Sequence, residues 1–147
     1  MVPLTDAEQL QWLLSRICSD TAGVKASVAI AADGQLLAVA DGMTRPAADR
    51  LRAVTFAFSA LARGSGNAFE LGQAGKVIID LDRGYLMVTF VNAHRLLGIV
   101  ATNDADLGAL AYDMAVLTNQ IASTITDVMV RETGTALATS GPVPTER

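Results

Sequence analysis

The chain holds a single cysteine, Cys18, and a single histidine, His94, among its 147 residues. One cysteine excludes an internal disulfide and a thiolate metal cluster, and it suits a reducing compartment. One histidine excludes the paired imidazoles of most zinc and non-haem iron sites. Aromatic residues are only 5% of the chain, so aliphatic side chains must build the core. Charged residues are 18% and the net charge is −4, which opposes any phosphate-neutralising role, so no nucleic-acid partner is expected. No apolar run approaches a membrane span, and Met1 to Asp6 carries neither a basic segment nor an apolar core of a secretion signal. No membrane insertion is expected, and a cytoplasmic location is the default.

What is present is apolar and periodic. Hydrophobic residues make up 51% of the chain, far too many for a disordered protein. The length fits one domain, able to bury roughly two-thirds of its unfolded surface. Thr5 and Glu8 are spaced as a capping box. Leu10, Leu13, Leu14 and Ile17 then recur at helical spacing until Gly23, which predicts a first helix from about Asp6 to Ser19.

Two apolar runs, Ala26 to Ala32 and Gln35 to Ala40, flank Asp33-Gly34, a pair that readily takes the positive φ angles of a tight hairpin. Pro46 suits a first helical turn, and the Ala, Leu and Phe-rich stretch to Arg63 predicts a second helix stopped by Gly64 and Gly66. Three strands follow, Lys76 to Asp82, Tyr85 to Val91 and Arg95 to Thr102, with links too short for parallel crossovers. A third helix is carried by Leu107, Leu110, Met114, Leu117, Ile121, Ile125 and Val128, with Asp104 or Asp106 at its cap. The tail from Thr133 to Arg147 lacks periodicity and is expected to be disordered. The expected organisation is a domain over 5–131 and a tail over 132–147.

Val77-Ile78-Ile79, Leu86-Met87-Val88 and Leu96-Leu97-Gly98-Ile99-Val100 are apolar on both faces of their strands, so both faces of the sheet need cover. The expected fold is α/β, of the α+β kind. It is a three-layer sandwich of order α-ββ-α-βββ-α, with helices 1 and 3 on one face of an antiparallel sheet and helix 2 on the other.

Helix 2 has more apolar surface than one sheet can use. At about 100° per residue, Leu51, Val54, Phe58 and Leu61 form a stripe that seats it on the sheet. Ala53, Ala57, Ala60 and Gly64 form a second ridge about a third of a turn away, with Phe56 beside it among Asp49, Arg52 and Arg63. In a monomer Phe56 is expected to point into water. Small residues let two helices approach closely, and a Phe buried at that seam contributes about 1.5–3 kcal/mol. The expectation is a homodimer about a two-fold axis through helix 2, with Ala53, Phe56, Ala57, Ala60 and Gly64 at the interface. The plainer alternative is that Ala is simply a good helix former and one exposed Phe carries no meaning.

Chemistry-bearing motifs are weak. His94 reads as a solvated turn residue and Cys18 as a small core residue near a helix C-terminus, where the dipole disfavours a thiolate. Gly72 to Val77 lacks the spacing and the following helix of a phosphate loop. Asp80 with Asp82, and Asp104 with Asp106, read as strand-edge and cap residues in place of a metal or acid/base pair. No catalytic, cofactor or metal site is expected.

Several segments together resemble the roadblock/dynein light chain family, nearest its actinobacterial branch. They are Gly23 to Val28, the Ala32 to Ala38 hairpin, Asp82-Arg83-Gly84-Tyr85-Leu86, Asp106-Leu107-Gly108 and Tyr112-Asp113-Met114-Ala115. The resemblance covers about Leu10 to Arg131. It implies a five-stranded antiparallel sheet, dimerisation through helix 2 and its neighbouring strand, and a non-enzymatic role as scaffold or regulator of a small Ras-like GTPase. In the actinobacterial branch such proteins resemble parts of gene clusters that also encode a sensor-kinase-like protein and a GTPase. Arg45, Arg50, Arg52 and Arg63 bracket helix 2. They read first as solvated, with Arg52 and Arg63 the partner-binding candidates and an arginine finger the sharper alternative. The rival functions are a small-molecule sensor, against which a mostly aliphatic core without convergent buried polar groups argues, and a structural adaptor that leaves GTP hydrolysis unchanged.

Overall fold

In the computed structural model, residues 6–121 are described. The elements are α1 (Asp6–Asp20), β1 (Val24–Ala31), β2 (Leu36–Val39), α2 (Arg45–Ala68), β3 (Lys76–Leu81), β4 (Gly84–Phe90) and β5 (Arg95–Thr102). A further helix, α3, occupies 107–121 of the described residues. The expected Thr5 cap, the last turns of helix 3 and the tail lie outside them, as do the ends of the expected 5–131 domain.

The strands form one sheet of order β2-β1-β5-β4-β3, with every pair antiparallel. The fold is the expected three-layer α+β sandwich. Alternation along β5 sorts its side chains between two cores. Leu97, Ile99 and Ala101 join Leu14 of α1 and Leu110, Met114 and Ile121 of α3 in the larger core. Leu96 points the other way and joins Val28, Ile30 and Leu51, the last from α2. Cover on both faces is therefore correct for the central strands. It fails at β3, an edge strand whose Ile78 and Leu81 are exposed.

The first hairpin turns where expected, but only Gly34 takes a positive φ, of 96°. Asp33 keeps an ordinary φ and its carboxylate accepts the Gln35 N–H at 3.1 Å. The Ala31 N–H bonds the Gln35 carbonyl at 2.8 Å and the Gly34 N–H the Ala31 carbonyl at 2.9 Å, so the turn spans Ala32, Asp33 and Gly34 rather than two residues, and a bulge then shifts the register between Ala29 and Ile30.

Helix α2 departs from expectation twice. It begins as predicted, with Pro46 in its first turn and Thr44 Oγ1 accepting the Ala47 N–H at 3.3 Å. It then runs through Gly64 and Gly66 to Ala68. Gly66 is needed inside the helix because a β-carbon there would strike the Gly72 carbonyl oxygen. The left-handed residue that ends the helix is Glu70, φ 56°, and the Leu71 N–H closes on the Gly66 carbonyl at 2.8 Å.

The second departure is the face turned to the sheet. Of the expected stripe only Leu51 is buried; Val54 and Phe58 are half-buried and Leu61 is 64% exposed. The buried residues are Ala48, Leu51, Thr55, Ser59 and Gly66. The sheet dictates this rotation: beneath α2 lies Gly98, which leaves a hollow that Thr55 fills. Close approach there favours small side chains over large apolar ones.

Candidate interaction surface

With Ala48, Leu51, Thr55 and Ser59 on the sheet, helical geometry sends Ala53, Ala57, Ala60 and Gly64 directly away from it. The ridge is thus opposite the seated face, not a third of a turn from it. All four residues are exposed. Leu61, expected on the sheet, instead extends this outer face.

Phe56 flanks the ridge and remains 38% exposed. It does not simply point into water, since its ring lies against the backbone of Gly34 in the first hairpin. Arg52 reaches the same hairpin, donating to the Gly34 carbonyl at 3.3 Å. Arg63 stands over the Phe90 ring, 5.3 Å from its centroid. Arg45 pairs loosely with Asp49 at 3.7 Å on an exposed turn, and Arg50 is exposed. The partner candidates Arg52 and Arg63 are therefore both half-buried and held by their own chain, one at each end of the ridge.

The free edge of the sheet adds to this surface. Ile79 pairs with Leu86, which packs in the α2-side core, so Val77, Ile79 and Leu81 share the α2 side of β3. Val77 and Ile79 are only half-buried and Leu81 is 56% exposed. Phe69 and Leu71, just after α2, are also exposed. The sequence reading missed Leu61, Phe69, Leu71 and Leu81 because their exposure depends on where α2 crosses the sheet.

Other groups are arranged for structure. The Cys18 thiol lies 3.5 Å from Ser27 Oγ, and burial raises its pKa despite that contact. Ser27 in turn donates to the Leu14 carbonyl at 3.2 Å. His94 is exposed, and its backbone N–H donates to Asn92 Oδ1 at 2.7 Å. Asp106 caps α3, accepting from Gly108 and Ala109 at 2.9 and 3.2 Å. The Thr102 hydroxyl beside Asp104, and then its own backbone N–H, hold that exposed carboxyl below its ordinary value. Gly75-Lys76 leads into β3 and not into a helix. Among the described residues no three His, Cys, Asp or Glu side chains gather as a metal site, and no helix is long and apolar enough to cross a membrane.

This architecture defines a two-sided α+β sandwich whose exposed helix and sheet edge are apolar. The Roadblock/LC7 domain profile matches residues 10–101, and the chain belongs to the Roadblock/LC7 family. It is similar to a Roadblock/LC7 domain from Streptomyces avermitilis, with 26% identity, a TM-score of 0.74 and coverage of 79% of this chain and 97% of that one. MglB from Myxococcus xanthus has the same fold at 16% identity, with a TM-score of 0.74 over 81% and 96% of the two chains. An MglB with a tetrameric arrangement superposes with a TM-score of 0.72 at 18% identity, over 84% and 92%. No curated protein matches the chain.

Proposed function

We propose that this chain is a non-enzymatic homodimer that binds a small Ras-like GTPase and modulates its nucleotide cycle or its location in the cytoplasm. The observation that carries the proposal is the outer face of α2. Ala53, Ala57, Ala60 and Gly64 are all exposed in a row, between a half-covered Phe56 and a 64% exposed Leu61. A row of small residues gives little stabilisation in water, but it permits a second α2 to pack at close range. About a two-fold axis each subunit would offer the same patch. Among the described residues no strand pairs with the outer edge of β3, and a neighbouring subunit that covered it would also meet Ile79 and Leu81 on its α2 side. Assembly is also a property of a protein of the same fold, the tetrameric MglB.

With the two α2 ridges buried against each other, the GTPase would meet the rim of the α2 pair. Arg52 and Arg63 border it, already oriented by Gly34 and Phe90, so little side-chain freedom would be lost on meeting acidic partner groups. In the actinobacterial branch that the sequence resembles, such proteins resemble parts of gene clusters that also encode a GTPase, so a GTPase encoded near this chain is the partner to test.

A pull-down of that GTPase, loaded in turn with GDP and a non-hydrolysable GTP analogue, tests the reading. Binding that favours one nucleotide state, and that weakens for the Arg52→Ala/Arg63→Ala double variant, is expected. Absence of binding in both states contradicts it, and binding with an unchanged hydrolysis and exchange rate reduces the role to that of an adaptor.

A further inference from the structure

The face of the sheet opposite α2 is covered by α1 and α3, and a groove of about 300 Å³ runs between these two helices. Just after α1, the Thr21 hydroxyl donates to Asp113 Oδ2, near the start of α3, at 2.8 Å. That bond fixes one end of the groove. Because the end of α1 meets the start of α3, the helices run antiparallel along it. Leu13, Ile17 and Leu117 are buried in its floor.

Both rims are aromatic and exposed. On α1, Trp12, Arg16 and Asp20 follow at i, i+4 and i+8 and so form a row. Arg16 stands between the other two, 5.0 Å from the Trp12 ring centroid and with its Nε 3.4 Å from the Asp20 carboxylate. Arg16 and Asp20 line the groove, and Trp12 extends that rim by a turn. Tyr112 and Val116 form the α3 rim. Trp12, Tyr112 and Val116 are all exposed, Tyr112 the most of the three. A single exposed apolar side chain is ordinary, but three bordering one groove make a patch. Tryptophan, tyrosine and arginine are also the residues that most often carry the binding energy of protein interfaces.

Charge selects the occupant. Among the described residues, α1, α3 and the turn before α3 carry six carboxylates, Asp6, Glu8, Asp20, Asp104, Asp106 and Asp113, against one base, Arg16. Helix α2 has the opposite balance, with Arg45, Arg50, Arg52 and Arg63 against Asp49. The α1–α3 face therefore repels an anionic lipid surface or a phosphorylated segment and attracts a basic one. Asp113 uses one carboxylate oxygen on Thr21, which leaves the other for a partner's cation. We propose that the groove seats an amphipathic helix of a protein partner, with an apolar stripe flanked by lysine or arginine. Two antiparallel helices offer ridges between which a third helix can lie. Its stripe covers Trp12, Tyr112 and Val116, and a basic side chain reaches Asp20 and Asp113. The groove lies across the sheet from α2, so the proposal does not depend on the GTPase reading.

Trp12 is the only tryptophan of the chain, so its emission reports on this groove. The probe is an amidated peptide of about 18 residues, long enough to hold a helix, built from leucine at helical spacing with lysine and alanine and free of aromatic residues. Titrated into the full chain, it should give a saturable blue shift as the Trp12 ring leaves water. A peptide with glutamate in place of lysine should bind at least ~10-fold more weakly. Tyr112→Ala, and the pair Asp20→Asn with Asp113→Asn, which keeps an acceptor for Thr21, should each weaken binding at least ~5-fold. Arg52→Ala with Arg63→Ala, across the sheet, should leave it unchanged, which separates this groove from the surface offered to the GTPase. No saturable shift in the wild-type chain, equal binding of the two peptides, or wild-type affinity in either groove variant overturns the proposal.

Discussion

Gly98 of β5 lies directly beneath Thr55 of α2, so closely that a β-carbon on Gly98 would collide with the threonine hydroxyl and its Cβ. This contact sets both the height and the rotation of α2 on the sheet. Gly98→Ala should therefore destabilise the fold by about 1–3 kcal/mol through overpacking, read as a lower urea midpoint with an unchanged slope. Combining it with Thr55→Ala should restore part of the loss, because the two positions share one space.

Thr55 is fully buried and its hydroxyl has no partner among the described residues. Thr55→Val preserves the branched shape and removes the unmet hydroxyl. It should raise stability by about 1 kcal/mol, the usual cost of an unsatisfied buried group, measured as a higher urea midpoint.

Cys18 is half-buried, and burial raises its pKa from the ordinary 9.0. The folded thiol keeps its proton at a pH where the unfolded thiol has lost it. Folding stability should therefore be insensitive to this group below pH 9.0 and should fall as pH rises above it. The difference between wild type and Cys18→Ala in unfolding titrations from pH 7 to 11 isolates the effect. At pH 8 the thiol should also react with iodoacetamide at least ~10-fold more slowly than in the urea-unfolded chain.

Asp106 accepts two N–H groups at the start of α3. Asp106→Ala should cost about 1 kcal/mol, while Asp106→Asn, which keeps an acceptor, should cost only a small part of that. Urea unfolding of the two variants checks the ordering.

Much of the fold was legible in the sequence because strands and amphipathic helices write their period directly. The runs around Ile79, Val88 and Ile99, the Asp33-Gly34 turn and the Leu110 to Ile121 stripe each appear where residue type and spacing place them. Helix α2 was harder. Its seated face is Thr55, Ser59 and Gly66, residues that ordinarily mark solvent or helix ends, and only Gly98 and Gly72 explain why they are inside. Its outward ridge was visible as a run of alanines, but the direction of that ridge followed from the rotation that Gly98 imposes.

Sedimentation equilibrium of the wild-type chain and of Ala57→Glu addresses the exposed ridge of α2 most directly. Ala57 is exposed, so the substitution should change the stability of a single subunit by no more than about 0.5 kcal/mol. At micromolar concentration the wild-type chain should show twice its 15.3 kDa mass and Ala57→Glu a single mass, since the new carboxylate would be buried against its own symmetry mate. A wild-type chain that sediments as a monomer, or an Ala57→Glu chain that remains a dimer, would contradict an interface built on that ridge.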